Sequence, residues 1–492
     1  MKVLLVSFFN ELAYGVRVLH SNLIENSIEA YMLFFKRNDL LGNSHNENVK
    51  NDFVGERAGV SSKEIEILIS HIKENKYDVI GFSLVSQHFY LYKKIYEKIK
   101  KIDDLTVVVG GWHASLDPDT CINYADFLCI GEGESPLVDL VCRLSKKEKT
   151  ANIENFHIKT ASGVIKNSVR PLPKDISAFP IPLFEHEYSY VIENDEIVNY
   201  EPYFNSRRYS TFIGRGCPFR CTYCSNSFMA ESVYPGRWSI ARHRSIEHMK
   251  RELLTVKKQL KLVEAINFYD EVFAPKTEWI KEFFSWYKTE ISIPFFVLIF
   301  PGSLNDEKAK ILADGGLDGV WMGIQSGSER VRNEIFKRKY SNDRILKQAR
   351  IFHKYGVSVR YDFILDNPFE TFEESLESIY LMLKLPQPFS LNLFSLKYFP
   401  NTEITKMAEA AGFITEADKD GNQEKDRDSY HIHKDKGDLD SKFINYLAFY
   451  IDSLSGTQSL EDKRNDLYKL INDYKHSKDI SYVENLAKPF FS

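Results

Sequence analysis

The sequence predicts an α/β protein with two successive α/β domains and a helical tail. Short apolar runs alternate with amphipathic helical patterns over residues 1–145, and the alternation resumes over 206–400. A proline-rich stretch separates the two regions. Hydrophobic residues make up 43% of the 492 residues and charged residues 27%. These values are ordinary for a globular protein, and a chain of this length can bury ample core.

The charge and the cysteine usage exclude several classes of protein. The formal net charge is −5, which argues against a strongly basic surface and against nucleic acid as a partner. We expect no membrane span, because no run of 18 apolar residues occurs. Met1–Phe9 is apolar but has no following cleavage site, so we expect a cytoplasmic protein. Three of the six cysteines fall within eight positions, which indicates metal binding or redox chemistry and not disulfides.

The first region, 1–145, is predicted to be a doubly wound, Rossmann-like α/β domain. Its apolar runs have the length of strands that are buried on both faces of a parallel sheet. These predicted strands are Lys2–Ser7, Glu29–Phe35, Tyr77–Ser83, Leu105–Val109 and Asp126–Ile130. Helical patterns such as Ser62–Lys73 and Tyr90–Lys101 lie between them. Ligands of such sheets bind beyond the carboxyl ends of the strands.

Small residues follow three of these predicted strands. They are Ser83, Ser86, Gly110, Gly111, Gly131 and Gly133. Paired glycines such as Gly110 and Gly111 let the backbone approach a ligand closely. Three strand ends of one sheet would therefore leave a groove for a large ligand.

The next segment, 146–205, is predicted to be an irregular linker or strap. Arg170–Phe184 holds four prolines in fifteen residues, which is too many for a regular element.

Residues 206–400 are predicted to form a partial (β/α)6 barrel with its active site at the carboxyl ends of the strands. The predicted strands are Ser210–Ile213, Ala265–Tyr269, Phe295–Phe300, Gly319–Ile324, Val357–Leu365 and Leu391–Tyr398. The predicted helices include Ser245–Leu260, Thr277–Lys288, Asp306–Asp314 and Phe372–Leu385. The tail, 401–492, is predicted to be helical and polar, with a solvated loop over the charge run Glu416–Asp440.

A CxxxCxxC motif follows the first strand of the predicted barrel. Cys217, Cys221 and Cys224 could fix three corners of a [4Fe–4S] cluster and leave one iron open to a ligand. A structural zinc site is the alternative, but it needs a fourth ligand. His243 and His248 lack the spacing for that role. We therefore interpret the three thiols as cluster ligands.

The motif, with the aromatic Tyr223 before its last cysteine, resembles the radical S-adenosylmethionine (SAM) superfamily. Four later segments resemble motifs of that family in the same order: Phe268–Phe273, Met322–Glu329, Leu365–Thr371 and Tyr398–Thr402. The resemblance implies that Tyr223 is part of the SAM site. It also implies that Asp270 and Glu271 meet the SAM amino group and that Gln325, Ser326 and Ser328 lie near the ribose. The alternatives are a solvated strand end for the two acidic residues and a helix N-cap for the two serines.

The first domain resembles the cobalamin-binding domain that precedes many radical SAM cores. The resemblance rests on G-x-S at Gly81–Ser83, VGG-x-H-x-x-x-x-P at Val109–Pro118 and GEGE at Gly131–Glu134. It implies that Ser83, Ser86, Gly110 and Gly111 line the nucleotide tail of cobalamin and that Gly131 and Gly133 belong to the same site. The alternative is a scaffold that has lost its ligand. No D-x-H-x-x-G motif follows the first strand, so we expect no histidine from that loop on cobalt.

Together the two resemblances imply a cobalamin-dependent radical SAM enzyme with three cofactors: a [4Fe–4S] cluster, SAM and cobalamin. The first interpretation is a methyltransferase that acts on an unactivated carbon (or phosphorus) of a small metabolite or peptide, through methylcobalamin and a 5′-deoxyadenosyl radical. The alternatives are a non-methylating cyclase or rearrangement enzyme and a non-enzymatic cobalamin or redox sensor. We expect a flavodoxin- or ferredoxin-like electron donor as a partner. The residues expected to face substrate are Arg360, Tyr361, Lys397 and Tyr398.

Overall fold

The structure is a computed structural model. It describes residues 1–37, 59–238, 242–273, 275–419, 421–422, 437–457 and 459–488. Most of the charge run that is predicted to be a loop lies outside these residues. The chain divides into two compact units. Unit 1 comprises residues 1–219, 224–266 and 398–425, and unit 2 comprises residues 220–223, 267–397 and 426–492.

A nine-stranded sheet forms the centre of unit 1. Its strands are β1 (Lys2–Phe8), β2 (Glu29–Phe35), β3 (Val79–Ser83), β4 (Thr106–Gly110), β5 (Phe127–Cys129), β6 (Phe156–Thr160), β7 (Gly163–Lys166), β8 (Ser189–Glu193) and β9 (Glu196–Asn199). The strand order is β7-β6-β5-β4-β3-β1-β2-β8-β9. The first five strands pair in parallel, as predicted. Their order, 5-4-3-1-2, is the doubly wound arrangement.

Helices cover both faces of this parallel sheet. They are α1 (Tyr14–Glu25), α2 (Ser62–Asn75), α3 (Phe89–Ile99), α4 (Trp112–Leu116), α5 (Pro118–Cys121) and α6 (Glu134–Ser145). Successive strand residues point to opposite faces, so β1 contributes Leu4 and Val6 to one apolar layer and Val3 and Leu5 to the other. The predicted near-continuous apolar runs are thus explained by burial on both sides.

The prediction of an irregular segment over 146–205 is wrong at two β-hairpins. The strands β6 and β7 form an antiparallel hairpin beside β5, and β8 and β9 form another beside β2. Two residues, Asn194 and Asp195, connect β8 to β9, and both have positive φ (52° and 60°). Such a turn matches the twist of a hairpin. The proline-rich stretch itself contains only a short 3₁₀ turn, Ile176–Ala178.

A second sheet has six strands, as the barrel prediction requires. They are β10 (Arg208–Thr211), β13 (Ala265–Phe268), β14 (Phe295–Ile299), β15 (Leu317–Gln325), β16 (Ser358–Leu365) and β17 (Ser390–Ser395), in this spatial order. The pairs from β14 to β17 are parallel. A short antiparallel pair, β11 (Gly214–Arg215) with β12 (Arg242–His243), lies apart from this sheet.

Helices alternate with the strands of the second sheet. They are α7 (Ser225–Phe228), α8 (Ile246–Gln259), α9 (Thr277–Glu290), α10 (Asp306–Asp314), α11 (Asn342–Lys354) and α12 (Phe372–Met382). Two single π-helical turns, Met229–Val233 and Val331–Ile335, follow the cysteine motif and the end of β15.

The described part of the tail is helical, as predicted. Its helices are α13 (Glu403–Ala410), α14 (Leu439–Ser455), α15 (Ser459–Ser477) and α16 (Ile480–Ala487). The helix α14 is largely buried and not polar on all sides. It flanks β17, where the Asp452 carboxylate accepts from the Leu391 N–H at 2.7 Å and the Ser455 hydroxyl donates to the Phe389 carbonyl at 2.8 Å. Among the helices of the described residues, none is long and apolar enough to cross a lipid bilayer.

Candidate active site

The three cysteines of the motif lie in the loop between β11 and α7. Cys217 and Cys221 are buried, and Cys224 is half-buried as the residue that precedes α7. The N–H of Cys217 donates to the Trp238 carbonyl at 3.2 Å, which ties the start of the loop to the segment that follows the π-helical turn Met229–Val233. The loop is therefore anchored within the fold and not a solvated excursion.

A half-buried arginine, Arg338, donates to the middle cysteine. Arg338 Nη1 lies 3.6 Å from Cys221 Sγ and 3.2 Å from Tyr223 Oη, and Nη2 donates to the Gly323 carbonyl at 2.7 Å. Burial acts to lower the pKa of Arg338, but Tyr223, Tyr340 and Cys221 outweigh it and hold the pKa well above its ordinary value. The guanidinium therefore brings a permanent positive charge to Cys221.

The last cysteine has a neutral donor. Asn226 Nδ2 lies 3.8 Å from Cys224 Sγ, and its Oδ1 accepts from Trp238 Nε1 at 2.8 Å. N–H donors favour the thiolate form of cysteine, which is the form that binds iron.

The donor chemistry of this loop fits an iron–sulfur cluster. It offers three thiols, and side-chain N–H groups donate to two of the sulfurs. Over the ranges that the structure describes, no three His, Cys, Asp or Glu side chains are gathered around one point where a metal ion could sit. The assignment of Cys217, Cys221 and Cys224 as cluster ligands therefore stays a prediction from the motif.

One face of the second sheet carries polar side chains at one level. Gly323, Asp362 and Asn392 are aligned on neighbouring strands β15, β16 and β17. Asn392 Nδ2 donates to Asp362 Oδ1 at 2.8 Å, and burial raises the pKa of Asp362 to about 6. A carboxyl group that titrates near neutral pH is typical of a functional site.

One of the four residues that are predicted to face substrate, Tyr361, is instead buried in the core. Its side chain is fully buried against Phe389, with ring centroids 5.5 Å apart. Because side chains alternate along a strand, Tyr361 points away from the face that carries its neighbours Arg360 and Asp362. Arg360 is exposed and donates to the Ser390 hydroxyl, and Lys397 and Tyr398 are half-buried.

The segment at the end of β15 is tightly connected to the loop after β16. Gln325 has a φ of 76°, and Ser326 Oγ donates to Glu370 Oε1 at 2.8 Å. Ser326 Oγ also accepts from the Ser328 N–H at 3.1 Å, and Ser328 Oγ accepts from the Val331 N–H at 3.5 Å. The two serines thus make the local capping contacts that the alternative interpretation expects. Their role near a ribose stays a prediction.

Glu370 lies in an environment that favours its neutral form. Burial is the largest cause, and the charges of Glu374 and Glu377 add to it, so the pKa of Glu370 rises to about 8.

The predicted SAM ligands Asp270 and Glu271 follow β13, where Asp270 is buried and Glu271 is half-buried. The alternative of a solvated strand end is therefore wrong for Asp270.

The predicted cobalamin residues lie at the ends of three adjacent parallel strands. The register pairs Ser83 with Gly110, and Ser86 Oγ is 3.0 Å from His113 Nδ1. Gly111 has a φ of 91°, and a Cβ there would lie 2.7 Å from the Leu84 backbone. Close packing of the loop after β4 on the end of β3 is thus one reason for glycine at position 111.

The loop after β5 is covered by an aromatic side chain. A Cβ at Gly131, where φ is 78°, would lie 2.0 Å from Tyr234 Oη, and that hydroxyl accepts from the Glu132 N–H at 2.9 Å. The glycine is therefore explained by a contact within the protein. Gly133 precedes α6, and a Cβ there would meet Cys129 and Leu19 at ordinary distances. A contact of either glycine with cobalamin stays a prediction.

A buried network of charges links the same loop to β11 and β12. Glu132 binds Arg242 through both carboxylate oxygens and lies 3.5 Å from Arg215, which also binds Glu134 at 2.6 Å. Burial acts to raise the pKa of Glu132, but hydrogen bonds and charges from Arg242 and Arg215 hold it below its ordinary value. Arg215 stands two residues before Cys217, so the network fixes the start of the cysteine loop.

Sequence reasoning missed Arg338, Asp362, Glu370, Tyr234 and the Glu132 network. Arg338 is separated from Cys221 by 117 residues and Tyr234 from Glu132 by 102, so no local pattern pairs them. A signal existed for Glu370, because it lies within a segment that is already singled out by its resemblance to a family motif. A signal existed for Asp362 as well, since it is an acidic residue within an apolar strand.

Two family models match the chain. Residues 51–141 match the B12 binding domain, and residues 211–381 match the Radical SAM superfamily. The chain contains a B12 binding domain followed by a radical SAM domain. The two models account for a [4Fe–4S] cluster, SAM and cobalamin as its cofactors, and this confirms both resemblances.

Known proteins with similar sequence or fold agree with the family. An uncharacterised methyltransferase of Pyrococcus horikoshii is 25% identical over 348 residues, which cover 70% of this chain and 72% of that protein. Cytidylyl-2-hydroxyethylphosphonate methyltransferase of Streptomyces wedmorensis is 22% identical over 345 residues, covering 63% of this chain and 61% of that protein. The cobalamin-dependent SAM radical enzyme OxsB, solved with aqua-cobalamin bound, has a TM-score of 0.67 at 16% identity, covering 99% of this chain and 75% of OxsB. At that identity the likeness to OxsB shows the fold.

Proposed function

We propose that this enzyme is a cobalamin-dependent methyltransferase that modifies an unactivated carbon, or phosphorus, of a small molecule or peptide. One observation carries the proposal: a B12 binding domain precedes a radical SAM domain whose cysteine motif is intact. The relatives from Pyrococcus horikoshii and Streptomyces wedmorensis are both named methyltransferases, which supports methyl transfer over other radical reactions. When bound, the cluster supplies the electron that cleaves SAM and cobalamin supplies the methyl group.

The chain's own residues hold and orient these groups in the proposal. Cys217, Cys221 and Cys224 bind the cluster. Arg338 presents a positive charge beside Cys221 and suits the carboxylate of SAM, because a guanidinium fork pairs well with a carboxylate. Tyr223 adds an aromatic wall that packs on Phe336, with centroids 4.9 Å apart.

The remaining site residues of the proposal follow the predicted motifs. Asp270 and Glu271 bind the SAM amino group, and Gln325, Ser326 and Ser328 lie near its ribose. The cobalamin tail is lined by the residues at the ends of β3, β4 and β5, namely Ser83, Ser86, Gly110, Gly111, Gly131 and Gly133. We keep the domain limits of 1–145, 146–205, 206–400 and 401–492 as part of the proposal, together with a flavodoxin- or ferredoxin-like electron donor and a cytoplasmic location.

An anaerobic turnover experiment tests the proposal. The full chain is reconstituted with iron, sulfide and cobalamin, then given SAM, a strong reductant and cell extract as a source of substrate. We expect 5′-deoxyadenosine and S-adenosylhomocysteine to rise together. Deoxyadenosine alone would overturn methyl transfer in favour of the cyclase or rearrangement alternative. Neither product, despite bound cluster and cobalamin, would overturn the enzymatic proposal and favour the sensor.

Two cysteine variants control the experiment. Cys224→Ala removes a predicted cluster ligand, and we expect no deoxyadenosine from it. Cys142→Ala removes a half-buried thiol on α6 that lies outside the motif, and we expect it to retain product formation. Full activity of Cys224→Ala would refute the cluster assignment.

A further inference from the structure

The last cysteine of the motif lies at the end of a short chain of hydrogen bonds. Asn226 Nδ2 donates to Cys224 Sγ, and Asn226 Oδ1 accepts from Trp238 Nε1 at 2.8 Å. An indole N–H can only donate. The amide oxygen of Asn226 must therefore face the indole, which turns the amide NH₂ group towards the sulfur.

Trp238 is itself held on several sides. Its side chain is buried and stacks on Tyr234, with centroids 5.8 Å apart and an interplanar angle of 11°. The edge of Trp112 packs against it at 6.2 Å. Its backbone carbonyl accepts from the Cys217 N–H. The indole thus has one position, and so does the amide that it orients.

We propose that Asn226 is a positioning residue that tunes the reduction potential of the cluster and that Trp238 acts through it. The inference rests on the proposed function, because it requires the three cysteines to hold the cluster. Hydrogen bonds to the sulfurs are among the factors that set the potential of an iron–sulfur cluster. Donation to a thiolate ligand stabilises the reduced, more negative state, so it makes the cluster easier to reduce.

The electron balance of the reduction does not involve Asn226. The oxidised cluster takes one electron from the external donor, and the amide proton stays on the Asn226 nitrogen throughout. The amide changes only the relative stability of the two oxidation states. Its effect is therefore measurable without SAM, cobalamin or substrate.

The experiment measures the midpoint potential of the reconstituted full-length enzyme by a redox titration monitored by electron paramagnetic resonance. Asn226→Leu removes the donor without adding charge. We expect its potential to be more negative by about 59 mV, which corresponds to a tenfold change in the equilibrium constant for a one-electron couple. Asn226→Asp keeps the acceptor for the indole but brings a negative charge to the sulfur, so we expect a larger shift in the same direction.

Two further variants separate orientation from general disturbance. Trp238→Phe keeps an aromatic ring but removes the N–H, so the amide can turn and we expect a smaller negative shift. Asn123→Asp makes the same chemical change as Asn226→Asp, but at an exposed residue whose amide donates to the backbone carbonyls of Asp119 and Thr120. We expect its potential to equal that of the wild type.

Resonance Raman spectroscopy gives a second readout that a merely structural role would not move. Loss of the hydrogen bond in Asn226→Leu should raise an iron–thiolate stretching frequency. Wild-type potential and wild-type bands in an Asn226→Leu enzyme with full iron content would overturn the inference. If Asn226→Leu retains no cluster, Trp238→Phe decides, and an unshifted potential there overturns it. A wild-type chain that assembles no cluster would instead refute the proposed function, and this inference with it.

Discussion

Replacing Glu132 by glutamine should destabilise the part of the protein that anchors the cysteine loop. The Glu132 side chain is 11% exposed and its partners Arg242 and Arg215 are 8% and 15% exposed. Glutamine keeps the shape but removes the charge and sets an amide N–H against a guanidinium N–H. Breaking one side of a buried ion pair costs about 3–5 kcal/mol. Arg215 keeps Glu134 as a partner at 2.6 Å, which favours the lower end, about 3 kcal/mol.

Urea unfolding of the cofactor-free chain measures this loss. With a denaturant dependence of about 3 kcal/mol per M, the expected loss lowers the midpoint by about 1 M. Tryptophan fluorescence follows the unfolding; one of the five tryptophans, Trp238, lies 5.8 Å from the Arg242 guanidinium. The matched control is Glu154→Gln, whose carboxylate is half exposed and 3.9 Å from Arg170. A surface pair of this kind contributes about 0–1 kcal/mol.

A double-mutant cycle and a pH series complete the test. In the Glu132→Gln background, Arg242→Met should cost at least about 1 kcal/mol less than in the wild type, because the arginine has already lost its partner. The pKa of Glu132 is depressed in the fold. Its contribution to stability is therefore present above its ordinary pKa and is lost as the pH falls through its folded value. An unchanged midpoint for Glu132→Gln, or additive effects in the cycle, would refute the reasoning.

Three other changes have defined outcomes. Glu370→Gln mimics the neutral acid. Because the pKa of Glu370 is raised to about 8, the contribution of Glu370 to wild-type stability is lost as the pH rises from about 4.5 to 8. Thermal unfolding should therefore show the variant matching the wild type at pH 5 and exceeding it at pH 9. Gly131→Ala places a Cβ on the Tyr234 hydroxyl at positive φ and should lower the unfolding free energy by about 1–3 kcal/mol in urea. The same substitution should cost less in a Tyr234→Ala background, where the hydroxyl is absent. Arg338→Lys keeps the charge but loses the guanidinium fork, so equilibrium dialysis with the reconstituted enzyme should show about tenfold weaker SAM binding. Unchanged binding would exclude Arg338 from the SAM site.

The strands β1–β5 of the first sheet and all six strands of the second sheet could be predicted from the sequence to within a few residues. Each buried parallel strand is a short apolar run, as in β2, whose predicted limits Glu29–Phe35 are those observed. The hairpins β6–β7 and β8–β9 were missed because β7 and β9 are exposed on most positions and carry no apolar run. The Asn194–Asp195 pair was the available signal, since both residue types tolerate positive φ.

The candidate site was predictable only where its chemistry is local. The spacing of three cysteines within eight residues identifies the cluster motif without any knowledge of the fold. The contacts that surround it are made by side chains far away in sequence, such as Arg338 on Cys221. Their positions depend on how strands and helices pack, which a local sequence pattern does not determine. Asn226 is close to Cys224 in sequence, but its orientation depends on a hydrogen bond from Trp238. A π-helical turn separates these two residues along the chain.

The glycines of the first domain show why a motif and its contacts must be weighed together. The GEGE motif at 131–134 resembles part of a cobalamin site, yet Tyr234 covers Gly131, and Glu132 and Glu134 bind arginines of β11 and β12. These contacts within the protein explain the GEGE sequence without a ligand, because the loop holds β11, the strand that leads into the cysteine motif. The prediction of the cobalamin tail consequently depends most on the ends of β3 and β4. A Cβ at Gly110 or at Gly133 would meet its neighbours only at ordinary distances, so packing alone does not distinguish the two glycines. Substitution of Ser83 or Gly110 should therefore affect cobalamin retention more than substitution of Gly133.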